Sequence, residues 1–516
     1  MKKKKILWVD DEIDLLSSHM IFLEGKGYEV KGVSSGEEAI ETLVAENYDL
    51  VLLDETMPGM SGLETLQEIK KISSNIPIIM ITKNEAEDLM DQAIGMKIDN
   101  YLLKPVNPLQ VYSAVKGILE SHRIQESAFS REYLSVYSRI NQRIMGELDW
   151  RDWAEIHIEL AKWDIEFDRF SETGLEQTHE DLRRNCNVEF AKFIESVYVE
   201  WLNSDAGPVM SVNLMKNFVF PHLNNGRKVY FIVIDCMRFD QWLTIEDLVA
   251  PYYNINTDYC YSILPTATPY SRNAIFSGLF PLDLKKRYPS MWLERSRDEF
   301  SKNRYEPELM RENLKRHGLK NISTKYIKIY DIEEANEVKK ETPTYKSINL
   351  VAMVFNFLDI LAHGRSQSDI LQEIAPNESA FRSLMRSWFS HSALYEILQE
   401  FSSHNAVVII TTDHGSILGK KASLVHGNRD TSTNLRYKFG ENINGDPKQT
   451  LLIRKPNDYR LPAESPSKNY ILAKENYYFV YPTRFHEYEK QYHGTFQHGG
   501  ISLEEMIIPC ITLFPK

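Results

Sequence analysis

At 516 residues the chain is long for one domain, and length alone predicts about two or three. A net charge of −13 argues against broad electrostatic binding to a nucleic-acid backbone, and four scattered cysteines (Cys186, Cys236, Cys260, Cys510) supply neither a disulfide frame nor a cysteine metal knot. The apolar stretch after the basic start runs only from Ile6 to Val9, too short for a secretory signal, and no run is apolar enough to span a bilayer, so a reducing, cytoplasmic location is the expectation.

Over residues 1–121, short apolar runs end in polar residues. Lys4–Val9 leads to Asp10 and Asp11, Leu50–Leu53 to Asp54, Ile76–Ile81 to Thr82, and Tyr101–Leu103 to Lys104 and Pro105. Helical patterns such as Ile13–Gly25 and Gly36–Glu46 lie between them, which predicts a doubly wound parallel sheet. Ligands gather at the carboxyl ends of such strands, so these separate places make one site. Asp10, Asp11 and Asp54 suit a hard divalent cation, Mg²⁺ with several waters. Asp54 is then the carboxylate nucleophile towards a phosphoryl donor, with Lys104 and Thr82 on the acyl-phosphate oxygens. Pro105 follows Lys104 where a cis peptide is affordable. The set VDDE, LLDETMPGMSG, MIT and LLKP resembles the receiver domain of two-component response regulators. That resemblance implies phosphorylation of Asp54 by a sensor histidine kinase and makes Tyr101 the switch aromatic. Met96–Pro105 lacks the usual Gly-Ala of such domains, a departure that touches no chemistry.

Residues 122–205 read as three amphipathic helices broken near Gly146-Glu147 and Gly174, a helical-bundle linker or spacer. Tyr133, Val136, Tyr137, Ile140 and Ile144 share one face; Trp153, Ile156, Leu160 and Trp163 share a second; Phe190, Phe193, Val197 and Trp201 share a third. A winged helix or helix-turn-helix is the competing reading. Ten Lys/Arg against eighteen Asp/Glu between Ser121 and Asp205 oppose it, and duplex DNA binding is not expected.

Ala206-Gly207-Pro208 marks the start of a third part, residues 206–516. Lys228–Ile234 is a buried-strand pattern ending in Asp235. Asn349–Phe355 leads to Asp359 and His363, and Asn405–Thr412 to Asp413 and His414; His498 follows near the end. Imidazole and carboxylate are zinc-type ligands, and two ions can bridge both partners of an in-line displacement. Thr268 stands where a turn enters a helix, and a helix N-terminus is a phosphate seat. His486, Glu487 and His493 do not make HExxH and are set aside as a loop. His404 and His426 read as structural or solvated. The loop with Arg429, Arg436 and Lys438 reads as solvated, with a phosphate cleft as its alternative.

LPTATPYSRNAIFSGLFP resembles the nucleophile turn of the alkaline-phosphatase and nucleotide-pyrophosphatase superfamily, and the closing QHGGISLEEMIIP resembles its PglZ branch. The resemblance implies an α/β/α output domain that is a zinc-dependent phosphodiesterase acting on short linear or cyclic oligonucleotides. It makes Thr268 the nucleophile. Asp359, His363 and His498 would hold one Zn²⁺; Asp235, Thr268, Asp413 and His414 would hold the other. Backbone N–H groups after Thr268, with Arg272 or Asn273, would hold the substrate's phosphate oxygens. The order receiver, helical spacer, PglZ resembles response regulators linked to type IX protein secretion. That implies a homodimer on phosphorylation, secretion-machine components and a sigma factor as partners. A phosphorylation-switched interaction module whose zinc site is not needed for output is the alternative.

Overall fold

The computed structural model describes residues 3–83, 98–170, 174–204, 206–292, 302–365, 368–427, 434–465, 467–483 and 485–516. The expectations that touch Met96, Lys97 and Arg429 lie outside them. The chain divides into two compact units, Met1–Leu134 and Ser135–Lys516.

In the first unit five strands form a parallel sheet. They are β1 (Lys5–Val9), β2 (Glu29–Val33), β3 (Leu50–Asp54), β4 (Ile78–Thr82) and β5 (Asn100–Leu103), in the order β2-β1-β3-β4-β5. Helices α1 (Ser17–Gly25), α2 (Gly36–Ala45), α3 (Gly62–Ile72) and α4 (Pro108–Leu119) fall between or after them. Side chains alternate across a strand with period two. Leu7, Val9, Val51 and Leu53 therefore pack with Leu66 and Ile69 of α3, while Ile6, Trp8, Leu50 and Leu52 pack with Val111 and Val115 of α4. The helical pattern from Ile13 is realised as a 3-10 turn over Ile13–Leu16 before α1 begins.

Three long helices follow: α5 (Ser121–Arg143), which contains the boundary between the units, α6 (Trp150–Arg169) and α7 (Glu176–Trp201). Gly146 and Gly174 fall in the gaps between them. Asp149 caps α6 in a reciprocal capping box with Asp152. Trp153, Ile156, Leu160 and Trp163 are buried as their spacing predicts. On α7 the buried stripe is Phe190, Ile194, Tyr198 and Trp201, whereas Phe193 and Val197 are only half-buried. The stripe is turned one residue from the predicted face, because Tyr198 reaches inward to accept the backbone N–H of Leu264 at 2.8 Å.

The second unit is built on a six-stranded sheet. Its strands are β6 (Lys228–Ile234), β7 (Tyr253–Tyr261), β8 (Thr324–Ile329), β9 (Leu350–Phe355), β10 (Ala406–Thr411) and the last strand, Ile507–Pro515. The order is β7, Ile507–Pro515, β10, β6, β9, β8. The strands β10, β6, β9 and β8 are parallel, and the last strand runs antiparallel to both β10 and β7. The parallel strands β6, β9 and β10 are nearly continuous apolar runs because the sheet is buried on both faces. Tyr230, Ile232, Ile234, Met353 and Ile410 face one core; Val229, Phe231, Val233, Ala352 and Ile409 face the other. Ala206-Gly207-Pro208 lies inside this unit, where Gly207 closes against the Trp201 ring. Small sheets over residues 417–497 lie beyond β10. His486 and Glu487 sit on an exposed helix, Phe485–Tyr492, rather than on a loop. Among the described residues no helix is long and apolar enough to cross a membrane.

Gly62 opens α3 directly under the end of β3, with Ser61 and Glu64 forming the capping box. A Cβ on Gly62 would lie 2.3 Å from the carbonyl oxygen of Asp54 and 2.6 Å from the Cα of Glu55, so the backbone itself would have to move. Gly62→Ala is expected to destabilise the first unit by about 1–3 kcal/mol, the usual cost of overpacking. Hydrogen exchange at the β3 amides measures this; unchanged protection would refute the close-approach argument.

Candidate functional site

In the first unit the strand ends bring Asp10, Asp11 and Asp54 together, with one carboxylate oxygen of each within 4.8 Å of the others. Asp10 and Asp54 are buried, and Asp11 is exposed. Lys104 Nζ lies 2.8 Å from Asp10 Oδ2 and 2.9 Å from Asp54 Oδ2, so it neutralises part of the cluster. Burial pushes the Asp54 carboxyl up despite the bond from Lys104. Burial works against the Lys104 charge, but its bonds to Asp10 and Asp54 outweigh this and raise it. Thr82 donates its hydroxyl to Glu55 at 3.1 Å. The Lys104–Pro105 bond is cis. Tyr101 lies on β5 beside Met80 of β4.

In the second unit the carboxyl ends of β6, β9 and β10 bring two groups into one place. Asp235, Asp413 and His414 form one, and Asp359, His363 and His498 the other; within each group the candidate ligand atoms lie within 4.8 Å of one another. His414 Nε2 is 3.9 Å from Asp235 Oδ1 and 3.7 Å from Asp413 Oδ2. His363 Nε2 is 3.3 Å from both His498 Nε2 and Asp359 Oδ1. The rings of His414 and His498 stack at 4.1 Å, so the groups share a wall. Thr268, the first residue of helix α8 (Thr268–Ser277), places its Oγ1 3.0 Å from His414 Nε2.

The carboxylates of Asp235 and Asp413 are each held by one side only. Asp235 Oδ2 accepts from Arg272 at 2.6 Å, and Asp413 Oδ1 accepts the backbone N–H groups of His414 at 3.1 Å and Cys236 at 3.4 Å. Asp235 Oδ1, Asp413 Oδ2 and Asp359 Oδ1 are buried with no hydrogen-bond partner. Burial raises the carboxyls of Asp235 and Asp413; for Asp235 the neighbouring Asp413 adds to it. Burial lowers the His414 imidazole. Asp359, whose Oδ1 is buried, is held below the usual carboxylate range by His363 and the other imidazoles. An isolated buried carboxylate is costly, and several unsatisfied oxygens aimed at imidazole nitrogens make a donor set for cations. The residues therefore fit divalent metals of the zinc type.

The imidazoles are oriented from behind. His414 Nδ1–H donates to the carbonyl of Gly415 at 3.1 Å, and His498 Nδ1–H to that of Thr266 at 3.3 Å, which turns each Nε2 into the site. Gly415 is required there: a Cβ would stand 2.0 Å from the Glu504 carbonyl oxygen. Glu505 accepts the Gly500 N–H at 2.8 Å and pairs with buried Arg436, while Thr266 accepts the Gly499 N–H at 3.1 Å, so both brace the His498 loop. Sequence reasoning missed Thr266, Glu505 and the bracing role of Arg436. The Ser502-x-x-Glu505 spacing of a capping box was a readable signal for Glu505.

Other expected residues have different surroundings. Arg272 is fully buried and pairs with Glu306 at 2.5 Å as well as with Asp235, and it donates to Asn356 at 3.0 Å. Its guanidinium is spent on internal acceptors rather than presented to a substrate. Asn273 donates to the carbonyl oxygens of Pro269 and Lys302 and lines a small neighbouring pocket. Pro269 lacks an N–H, and the N–H groups of Tyr270 and Ser271 go to the Ala267 carbonyl, so the expected backbone donors after Thr268 are already used. Arg436 and Lys438 are buried on the strand Tyr437–Glu441 or just before it, lining neither a solvated loop nor a phosphate cleft. His404 is buried against the Tyr230 hydroxyl at 2.7 Å, a structural role. His426 is exposed.

Known proteins resemble the chain in three segments. Residues 214–513 match the family described as the BREX system PglZ alkaline phosphatase-like domain, 6–116 the response regulator receiver domain, and 123–202 the PorX response regulator linker domain. The chain belongs to the PglZ alkaline-phosphatase-like family, in the receiver–linker–PglZ arrangement of a PorX-type response regulator. Similar curated proteins include a CpxR homolog of Haemophilus influenzae, described as a transcriptional regulatory protein, 41% identical over 117 residues, 22% of this chain and 50% of that one. The alkaline phosphatase synthesis transcriptional regulatory protein PhoP of Bacillus subtilis is 36% identical over 123 residues, 23% of this chain and 50% of that one. The chain thus spans about half the length of these relatives. Among solved structures, a CheY-like receiver domain protein from Methanospirillum hungatei is 30% identical with a TM-score of 0.23, covering 24% of this chain and 99% of that one. The fold class is α/β: a parallel-sheet receiver, a helical linker and an alkaline-phosphatase-like domain. A receiver implies a phosphodonor such as a sensor kinase, and the alkaline-phosphatase-like domain suggests a hydrolase using divalent metals.

Removing one partner of a buried ion pair leaves an uncompensated charge. Arg272→Met is therefore expected to destabilise the second unit by about 3–5 kcal/mol. Urea denaturation of the full chain measures it. A weaker substrate affinity with unchanged stability would instead make Arg272 a phosphate ligand.

Proposed function

We propose that this protein is a response regulator phosphorylated on Asp54 by a sensor histidine kinase, with a zinc-dependent phosphodiesterase as its output. The proposed parts are a receiver over 1–121, a three-helix spacer over 122–205 and the PglZ domain over 206–516. Mg²⁺ would sit on Asp10, Asp11 and Asp54, with Thr82 and Lys104 serving the phosphoryl oxygens. One Zn²⁺ would be held by Asp359, His363 and His498, the other by Asp235, Thr268, Asp413 and His414.

The observation that carries the reading is the Thr268 hydroxyl, 3.0 Å from His414 Nε2, beside one buried and one partly exposed group of ligands whose carboxylates keep unpartnered oxygens. Zinc bound there would lower the pKa of the hydroxyl and neutralise charge on the phosphoryl oxygens. Thr268 attacks the phosphorus in line and loses its proton to solvent; the P–O bond to one alcohol of the diester breaks, that alcohol leaves with a proton, and the threonine oxygen holds the phosphoryl group with the other alcohol still attached. Water then displaces the threonine oxygen from phosphorus, which restores the hydroxyl and releases a phosphate monoester that keeps the other alcohol. The His414 Nδ1–H bond to Gly415 keeps the Nε2 lone pair turned towards Thr268 Oγ1. Short linear or cyclic oligonucleotides are the proposed substrates, and regulation of type IX protein secretion is the proposed process. Both rest on the sequence resemblance and the PorX-type linker. Homodimerisation on phosphorylation, secretion-machine components and a sigma factor are the proposed associations, with the cytoplasm as the proposed location.

Thr268→Val is expected to lower cleavage of a nitrophenyl phosphodiester at least about 100-fold, the low end for a positioned catalytic group, while about two zinc per chain remain bound. Turnover retained in that variant would remove Thr268 as nucleophile. Acetyl phosphate is expected to label the wild-type receiver but not Asp54→Ala, read by phosphate-affinity electrophoresis. Equal labelling of the two would put the phosphoacceptor elsewhere.

A further inference from the structure

A second polar cavity lies in the same unit, between α7 and the residues that follow Asp413-His414, with a water-accessible volume of about 50 Å³. It touches neither Thr268 nor any of the metal-type ligands. Its cations are all spent. Arg183 pairs with Asp164 at 3.2 Å and with Glu378 and Glu504 at 2.8 Å each, Arg184 with Asp181 at 2.9 Å, and Lys420 with Glu180 at 2.9 Å.

Glu475 is what remains. Only 8% of it is exposed, it lines the cavity, and its carboxylate makes no ion pair or side-chain hydrogen bond among the described residues. The charged groups around it are committed elsewhere. Lys474 pairs with Glu195 at 2.6 Å, Arg436 with Glu505 at 2.5 Å, and Lys421 stands over the Tyr477 ring at 5.2 Å. Next to it the buried Asn476 Oδ1 also has no partner. Glu475 holds this position with φ at +47°, a left-handed backbone that a residue with a Cβ rarely adopts. Such a conformation persists only where the surroundings impose it. Burial pushes the Glu475 carboxyl up, against the pull of Lys421, Lys474, Arg436 and Arg184, none of which bonds to it.

Two acceptors without donors call for a cation that carries N–H groups. A metal ion is disfavoured: the other carboxylates of the cavity are tied to Arg183 and Lys420, and no three-ligand group includes Glu475 among the described residues. The apolar wall of Ile417 and Leu418 adds a place for methylene groups. We propose that this cavity binds a small alkylammonium ion, its head on Glu475 and Asn476 and its chain along Ile417 and Leu418. The site is distinct from the reaction centre but tied to it. Glu475 donates its backbone N–H to the Ile501 carbonyl at 2.9 Å, three residues beyond His498, and α7 forms the opposite wall.

The test is isothermal titration calorimetry of the full-length, metal-loaded protein with 1,4-diaminobutane. 1,4-Butanediol serves as the uncharged control, and sodium chloride matches the ionic strength. Saturable binding of the diamine, absent for the diol and weakened at least about tenfold in Glu475→Gln, is the expected result. That factor corresponds to about 1.4 kcal/mol for the lost charge-assisted bond. Circular dichroism checks that the variant is folded. Should Glu475→Gln not fold, Asn476→Asp decides, because an added carboxylate must tighten the binding. No saturable heat with the wild type, equal binding of the diol, or affinities unchanged in both variants would overturn the proposal.

Discussion

Three buried carboxylate oxygens without partners, on Asp235, Asp359 and Asp413, set the terms for the whole second unit. Bringing such groups out of water costs several kcal/mol each unless a counter-charge meets them. The fold supplies a fixed cation on one side, Arg272 against Asp235, and nitrogen ligands on the other, His363, His414 and His498. That division explains why Arg272 must be buried. Without it the repulsion between Asp235 and Asp413 would lose its main internal counter-charge. Cys236 shows the same pressure in the backbone. Its φ of +68° lets its N–H turn to Asp413 Oδ1, and the next N–H, of Met237, reaches Thr412 Oγ1 at 3.1 Å.

Much of this was legible because both units place chemistry at the carboxyl ends of buried strands. A strand buried on both faces reads as an unbroken apolar run, and the first polar residue after it marks the site. Asp10, Asp54, Asp235 and Asp413 were found that way. What escaped were residues whose role depends on contacts distant in sequence. Arg272 follows Thr268 by one helical turn, so it looked like part of the phosphate seat. Nothing near it in sequence announces Glu306, whose carboxylate captures it. The backbone N–H groups after Thr268 were misjudged for a local reason. Pro269 and the tight turn at Ala267 consume the donors that an ordinary helix start would leave free. The Phe193 and Val197 error has the same origin as the Arg272 one. Periodicity fixes a helix's apolar stripe to within about one residue, and the final rotation was set by Tyr198 reaching Leu264.

Helices α6 and α7 were read as a spacer, and their sequence is that of a helical pair with its own apolar face. The contacts show a second role that charge counting hid. Acidic excess over this stretch suggested only solvated faces, yet part of it is internal. Asp164 and Asp168 on α6 and Arg183 on α7 join Arg382, Glu378, Arg238, Asp240 and Glu504 in one lattice, largely buried except at Asp168. Arg382 bridges Asp168 at 2.7 Å and Asp240 at 2.9 Å, and Asn187 donates to Glu504 at 3.0 Å.

A lattice of this kind adds little to stability over a well-packed apolar interface, because desolvation offsets much of the attraction. Its effect is on geometry. A buried Arg with three carboxylate partners tolerates little displacement, since each lost bond leaves a charge unpaired in low dielectric. Arg183 is held by Asp164, Glu378 and Glu504 at once. Glu504 in turn packs its carbonyl against Gly415, next to His414, and precedes Glu505, which holds the His498 loop. A displacement of α7 therefore has no soft joint in which to dissipate before it reaches two of the three imidazoles. Helix α7 is thus tied to the candidate site by paired charges as well as by its apolar stripe, and the paired charges are the part that fixes its position.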